Sequence, residues 1–227
     1  MNPWRNSGLL KRALDLTVAL VLLTLSSPLL VLIALLVKLT SRGPVLFLQQ
    51  RAGRCFRPFF IYKFRTMVHD APHKGGQITV GNDPRITPVG KILRTTKLDE
   101  LPQLFNVLLG DMSLVGPRPE VWKYVELYRA DYETILQVRP GVTDLASLEY
   151  RDEAALLARA SNPEEEYRLR VLPRKIQLAK EYIRRASFWL DLSIMVRTPW
   201  ILLGDHLPLR KRTSPLHNLG ETDHHGA

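Results

Sequence analysis

An uncharged run of 22 residues, Leu16 to Val37, limits this chain more than any other segment. Leu, Val, Ala and Ile dominate it. As a helix at about 1.5 Å per residue it reaches roughly 33 Å, enough to cross the hydrocarbon core of a bilayer. A cleaved signal peptide is the competing reading, but the run is long for one and Ser26-Ser27-Pro28 interrupts its middle. Pro28 removes a backbone donor and its ring crowds the preceding turn, so a kink is expected there. Each half then reaches about one leaflet. The hydroxyls of Ser26 and Ser27 can satisfy carbonyls that the proline releases.

The flanking charges choose between a span and a hairpin. Arg5, Lys11 and Arg12 precede the run, and Lys38 and Arg42 follow it. Basic residues at both ends suit one cytoplasmic face, whereas a straight span places one basic flank on the unfavourable side. The pattern predicts a re-entrant helix–break–helix, with its break at Ser27-Pro28 and with Lys11 and Arg12 at the membrane interface. A single-pass anchor is the alternative, since kinked spans occur. Asp15, near the start of the run, requires a cation such as Lys11 or Arg12.

The 227 residues suffice for one domain with a buried core. Lys and Arg total 32 against 22 acids, a net charge of +10, so the natural partners are anionic: nucleic acid, an acidic membrane surface or a phosphorylated substrate. The single cysteine, Cys55, excludes an internal disulfide and a Cys-rich zinc site. The six histidines show no zinc-protease spacing.

Val45 to Arg51 and Pro58 to Phe64 read as a short β-hairpin. Residues 69–82, with Gly75-Gly76, read as a loop. Thr87-Pro88 caps a helix to about Thr95, and a second helix stops at Gly110. Pro119 to Tyr128 is predicted helical and Arg139-Pro140-Gly141 a turn. Three charged amphipathic helices follow, Asp152–Ala160, Pro163–Leu172 and Pro173–Ala186. Ser187 to Leu203 is apolar and aromatic apart from Asp191 and Arg197, which suits an interfacial helix or a core helix. Three segments result: a basic flank and membrane helix over 1–42, a mixed strand-and-helix domain with amphipathic helices over 43–204, and a polar tail over 205–227 predicted to be disordered.

Asp99-Glu100 is the pair that points to chemistry. These carboxylates open the apolar stretch Leu101–Leu109 and have cationic residues on both sides in sequence. Buried, they require cations or a ligand. A helix start offers free N–H groups to a phosphate, so carboxylates, arginines and a helix N-terminus together suggest phosphoryl chemistry. By itself the pair also reads as an ordinary acidic first turn.

The ordered set of motifs resembles the bacterial sugar transferase family, the monotopic phosphoglycosyl transferases in their short form. The resemblance covers about Lys11 to Leu203. It is carried by Lys11-Arg-Ala-Leu-Asp15 before the interrupted apolar helix, by Lys63-Phe-Arg-Thr-Met67 and by Asp83-Pro-Arg-Ile-Thr-Pro-Val-Gly90. Leu98-Asp-Glu-Leu-Pro-Gln103 and Gly110-Asp-Met-Ser-Leu-Val-Gly-Pro-Arg-Pro-Glu120 complete it. The resemblance implies transfer of a sugar-1-phosphate from a nucleotide diphosphate sugar, usually a UDP-sugar, to polyprenyl phosphate, with release of UMP. It implies that Asp99 is the nucleophile and that Glu100 helps to hold Mg²⁺. Arg94, Arg118 and Arg151 are expected at phosphate or nucleotide, with Pro117 and Pro119 stiffening the Arg118 loop. Lys63 and Arg65 are further substrate-binding candidates, or a solvated basic strand end. After Arg139-Pro-Gly-Val-Thr143 the chain departs from the family's common pattern, with Asp144 where glycine is usual.

The fold class expected is α/β: a small membrane-associated catalytic core with a re-entrant N-terminal helix, a short β-hairpin and amphipathic interfacial helices. The resemblance places the enzyme at the bacterial inner membrane with its catalytic part on the cytoplasmic face, touching membrane lipids. No nucleic-acid motif is present, so nucleic acid is not expected as a partner. A basic membrane-anchored scaffold is the rival from another class, and it leaves Asp99-Glu100 unexplained. Direct attack of the lipid phosphate, with both carboxylates on metal, is the rival mechanism.

Overall fold

The two β-rich runs pair. In the computed structural model, which describes residues 8–71, 79, 83–150 and 152–203, strands β1 (Leu46–Ala52) and β2 (Pro58–Phe64) form an antiparallel hairpin. Alternation along β2 sends Phe59 and Ile61 into the core and leaves Phe60 exposed. The expected disordered tail and most of the 69–82 loop lie outside the described residues.

Helix α2 (Pro88–Thr96) starts where Thr87 Oγ1 accepts from the Gly90 N–H at 3.0 Å. The next helix begins later than expected. Leu98–Glu100 forms a 3₁₀ turn, and α3 spans Gln103–Leu109. An α-helical bond to Leu98 O would need an N–H from Pro102, which proline lacks. Leu101 N–H donates to Leu98 O instead, at 3.3 Å. Gly110, at φ 96°, ends α3.

A short parallel pair replaces the predicted turn at 139–141. Strand β3 (Ser113–Val115) lies beside β4 (Gly141–Thr143), with α4 (Trp122–Leu127) and α5 (Arg129–Ile135) between them in sequence. The exit of β3 nearly touches the start of β4: a Cβ added to Gly141 would stand 2.1 Å from Gly116 N. Helices α6 (Leu145–Glu149), α7 (Glu153–Ala158) and α8 (Pro163–Glu166) follow. A π-helical turn, Tyr167–Val171, joins α8 to α9 (Leu172–Arg185) immediately before Pro173. In α10 (Phe188–Leu203), Asp191 and Ile194 are buried whereas Trp189, Val196 and Trp200 are exposed.

Helix α1 (Leu9–Thr40) continues through Ser27-Pro28, so the expected division into two helices is corrected to a proline inside one. The serines explain how the proline is accommodated. Pro28 cannot donate to Thr24 O, and the Ser27 hydroxyl donates to that carbonyl at 2.8 Å while Ser26 donates to Leu22 O at 2.6 Å. The buried positions Lys11, Asp15, Ala19, Leu23, Ile33 and Val37 fall within an arc of about 120° at the helical repeat. Leu20, Leu25, Val31, Leu32 and Leu35 lie outside that arc and are each more than half exposed. The helix is long and apolar enough to cross a membrane. Ala19 and Leu23 join the main core, whereas Ile33 and Val37 pack with Phe64 of β2 and Leu93 of α2.

Polar groups fix both ends of α1 to this same body. Lys11, expected at the membrane interface, has its side chain buried in the protein, with Nζ 2.5 Å from Asp191 Oδ2 and donating to Val115 O at 3.2 Å. Asp15 accepts from Ser113 Oγ at 2.8 Å and Leu114 N at 3.2 Å, and the Tyr182 hydroxyl donates to Asp191 Oδ1 at 2.8 Å. Arg12 also turns inward, donating to Leu108 O at 3.3 Å at the C-terminal end of α3. At the other end Arg65 donates to Ser41 O and Ser41 Oγ, each at 2.7 Å, and to Pro44 O.

Removing one partner of a buried pair costs about 3–5 kcal/mol because the other charge remains desolvated. Asp191→Asn and Lys11→Met should therefore each lower the thermal midpoint in detergent by about 10 °C. The double variant should lose clearly less than the sum. Additive losses in that cycle would show that the two groups are energetically independent.

Candidate active site

The 3₁₀ turn after α2 creates the site. Lys97, at φ 58°, reverses the chain and presents Asp99 and Glu100 toward the end of β2 and the loop after β3. Glu100 is gripped from both. Arg118 reaches it with two guanidinium nitrogens, NH2 to Oε1 at 2.5 Å and NH1 to Oε2 at 3.1 Å, and Lys63 Nζ donates to Oε1 at 2.9 Å. The paired fork is the geometry at which arginine is strongest.

Asp99 has the opposite environment. It is buried, and its Oδ1 has no hydrogen-bond partner among the described residues. Burial, followed by repulsion from Glu100, raises its pKa to about 6 against the pull of Lys63, Lys97 and Arg94. Burial pushes Glu100 upward too, but Arg118 and Lys63 outweigh it and hold the carboxyl well below its ordinary value. Glu100 in turn raises the Arg118 guanidinium above its usual pKa. Burial lowers Lys63, and the charge of Glu100 partly offsets that. Neighbouring carboxylates thus hold different roles: one is committed to cations, the other keeps an oxygen in reserve.

Of the other expected residues, Arg94 stands within electrostatic range of Asp99 and donates from Nε to Thr66 Oγ1 at 2.8 Å. Pro117 and Pro119 are buried on either side of Arg118. Arg65, expected at substrate, is buried and directs its guanidinium to the end of α1 and the 41–44 turn. Arg151 lies outside the described residues.

Sequence reasoning missed the supports behind Arg118. Glu120 accepts from Arg51 NH1 at 3.2 Å, from its neighbour Val121 N at 2.8 Å and from the Tyr167 hydroxyl at 2.5 Å. Asp144 Oδ2 accepts from the Arg118 backbone N–H at 3.2 Å. Gln103 is fully buried, with neither side-chain polar atom paired among the described residues. Glu120 and Gln103 stood inside recognised motifs; only a partner distant in sequence reveals what Glu120 does.

The raised pKa of Asp99 has a sign that can be measured. The folded state holds this proton up to about pH 6 and the unfolded chain only to about 3.8, so ionisation costs the folded state across that window. Wild type should therefore lose stability relative to Asp99→Asn as pH rises from 4 to 7, by up to about 3 kcal/mol. Thermal melts of both proteins across this range check it. A difference independent of pH would contradict the desolvation of Asp99.

Comparison with known proteins gives the site a context. A model of the family described as bacterial sugar transferase matches residues 6–205. The UDP-N-acetylgalactosamine-undecaprenyl-phosphate N-acetylgalactosaminephosphotransferase of Aeromonas hydrophila is 39% identical over 192 residues, covering 83% of this chain and 42% of that protein. The UDP-glucose:undecaprenyl-phosphate glucose-1-phosphate transferase of Escherichia coli K12 is 41% identical over 194 residues, 84% of this chain and 39% of that protein. An identically named protein of Caulobacter vibrioides is 43% identical over 202 residues, 86% of this chain and 71% of that protein. This chain matches 42% of the length of the first of these relatives and 39% of the second. With the family's model matched over nearly all the described residues, and the Asp99-Glu100 motif inside the match, the chain belongs to the bacterial sugar transferase family.

Proposed function

We propose that this chain transfers a sugar-1-phosphate from a UDP-sugar to polyprenyl phosphate through a phosphosugar carried on Asp99. The carrying observation is the contrast within one dipeptide: Asp99 keeps an oxygen unpartnered among the described residues, whereas Arg118 and Lys63 lock Glu100. The names of the relatives support the substrate class, since they specify UDP-sugars and undecaprenyl phosphate.

In the first step an Asp99 oxygen attacks the phosphorus bonded to the sugar. The bond from that phosphorus to the bridging oxygen breaks, and UMP leaves with the electron pair. In the second step an oxygen of polyprenyl phosphate attacks the same phosphorus. The acyl-phosphate bond then breaks, Asp99 returns as a carboxylate, and a lipid-linked diphosphosugar departs. Ionised above about pH 6, Asp99 is a competent nucleophile at neutral pH. Arg118 and Arg94 supply positive charge to the diphosphate, Arg118 as a fork suited to paired oxyanions.

The donor set fits Mg²⁺ in one respect. Asp99 and Glu100 are oxygen donors, and no group of three His, Cys, Asp or Glu poised for a metal occurs among the described residues. Mg²⁺ commonly takes one or two carboxylates and completes its shell with water and substrate phosphate. Glu100 is the residue proposed to hold it, exchanging a contact with Lys63 or Arg118 for the ion. When bound, the metal supplies neutralising charge to the diphosphate.

The same reading sets α1 into the membrane from the cytoplasmic face of the inner membrane, without crossing. Support comes from the two ends: Lys11 and Arg12 grip one side of the protein body, and Arg65 holds the Val37–Pro44 end on that body too. The exposed leucines of α1 and the exposed Trp189 and Trp200 of α10 supply the lipid-facing surface.

Two experiments test these proposals. Enzyme incubated with Mg²⁺ and UDP-glucose, UDP-galactose or UDP-N-acetylgalactosamine, without lipid, should gain a phosphosugar in intact mass and release UMP. Asp99→Asn should show neither. Sequential kinetics, no adduct after rapid quench and turnover by Asp99→Asn would reject Asp99 as nucleophile. For topology, single cysteines at Leu9 and Arg42 in a Cys55→Ser background should both resist an impermeant label in intact cells and both react in inverted vesicles. Opposite accessibility of the two sites would establish a crossing helix.

A further inference from the structure

Arg118 is held at its backbone as well as its guanidinium. Strands β3 and β4 run parallel, so their C-terminal ends emerge side by side. The Gly116–Pro119 loop leaves one, and Asp144 directly follows the other. Asp144 is 4% exposed, and each of its oxygens accepts from a different element. Oδ1 caps α6, receiving Ser147 N–H at 2.7 Å and Ser147 Oγ–H at 2.6 Å. Oδ2 receives the Arg118 N–H at 3.2 Å. The guanidinium of Arg118 then extends to both oxygens of Glu100.

We infer that Asp144 is a positioning residue for the proposed sugar-phosphate transfer, fixing the Arg118 backbone so that its guanidinium fork meets Glu100 and the incoming diphosphate. The inference rests on the functional reading above. Its chemical basis is that the side chain must accept at both ends. A carboxylate can; a carboxamide turns its NH₂ toward one of the two N–H donors. Asparagine is also a good helix cap, so Asp144→Asn can keep the α6 cap while depriving the Arg118 amide of its acceptor. That substitution separates the two tasks of the side chain.

The test compares UMP release by the full-length enzyme in detergent with polyprenyl phosphate and whichever UDP-sugar it accepts. Asp144→Asn should raise KM for the nucleotide sugar about tenfold, the size of one lost buried hydrogen bond, with a smaller change in kcat. In an Arg118→Lys background the same substitution should have little further effect, because its target is already impaired. Asn162→Ala removes a comparable cap, on α8, and controls for a general loss of helix order. If Asp144→Asn fails to fold, Asp144→Ser, which retains a capping hydroxyl, takes its place. Unchanged kinetics in the folded variant, or equal losses with and without Arg118→Lys, would overturn the positioning role. An active wild type in that experiment leaves the functional reading intact. Absence of UMP from wild type with every UDP-sugar would instead strike the functional reading itself.

Discussion

The Lys11–Asp191 pair ties together the first turns of α1 and α10, which lie 180 residues apart in sequence. Its buried ions bring the first turns of α1 against α10, while Tyr182 of α9 reaches the same aspartate. Val115 O receives both Lys11 and Tyr182. Val115 ends β3, and the next three residues are Gly116, Pro117 and Arg118. The anchoring of an apolar helix and the placement of the site arginine therefore share one set of hydrogen bonds. Such a knot is costly to desolvate and stabilises only when every member is satisfied. That condition is met by drawing partners from α1, β3, α9 and α10 together.

From Val115 outward the loop passes through successive constraints. Gly116 admits the close approach of the segment entering β4, where a Cβ would stand 2.6 Å from Arg139 O. Asp144 takes the Arg118 amide, and Glu120 ties the far side to Arg51 and Tyr167. The guanidinium consequently starts from a fixed backbone, which reduces the conformational freedom lost when it meets an anion. Glu100 balances that charge before any ligand arrives. Asp99, one residue away, receives no comparable partner among the described residues, and burial keeps its carboxyl more basic than usual.

The apolar surface has its own logic. In α1 the inward arc carries Lys11, Asp15 and small or branched residues, and much of the remaining circumference carries exposed leucines and valines. In α10 the single acid faces the protein and the tryptophans face out. Both helices thus expose much apolar surface while burying Lys11, Asp15 and Asp191 inward; Lys38 and Arg197 are their exposed charges. A lipid-facing surface suits this arrangement, because the buried ions find partners only on the protein side.

Local sequence determined the hairpin, the Thr87-Pro88 helix start, the Gly110 stop and the apolar length of α1, because propensity, proline geometry and hydrophobic pattern act over a few residues. It also marked Asp99, Glu100, Arg94 and Arg118 through their motifs. Only the tertiary structure decided which cations serve which carboxylates. Lys11 and Arg65 look like interface or substrate cations in sequence, yet one meets Asp191, 180 residues away, and the other holds the end of α1. The β3–β4 pair was illegible because three-residue strands carry too little periodicity and are fixed by each other. Asp144 looked like a local departure until β4 brought it beside Arg118. Short-range patterns choose the elements; long-range burial of charge chooses the partners, because a buried ion is stabilised by whatever the completed fold brings within reach.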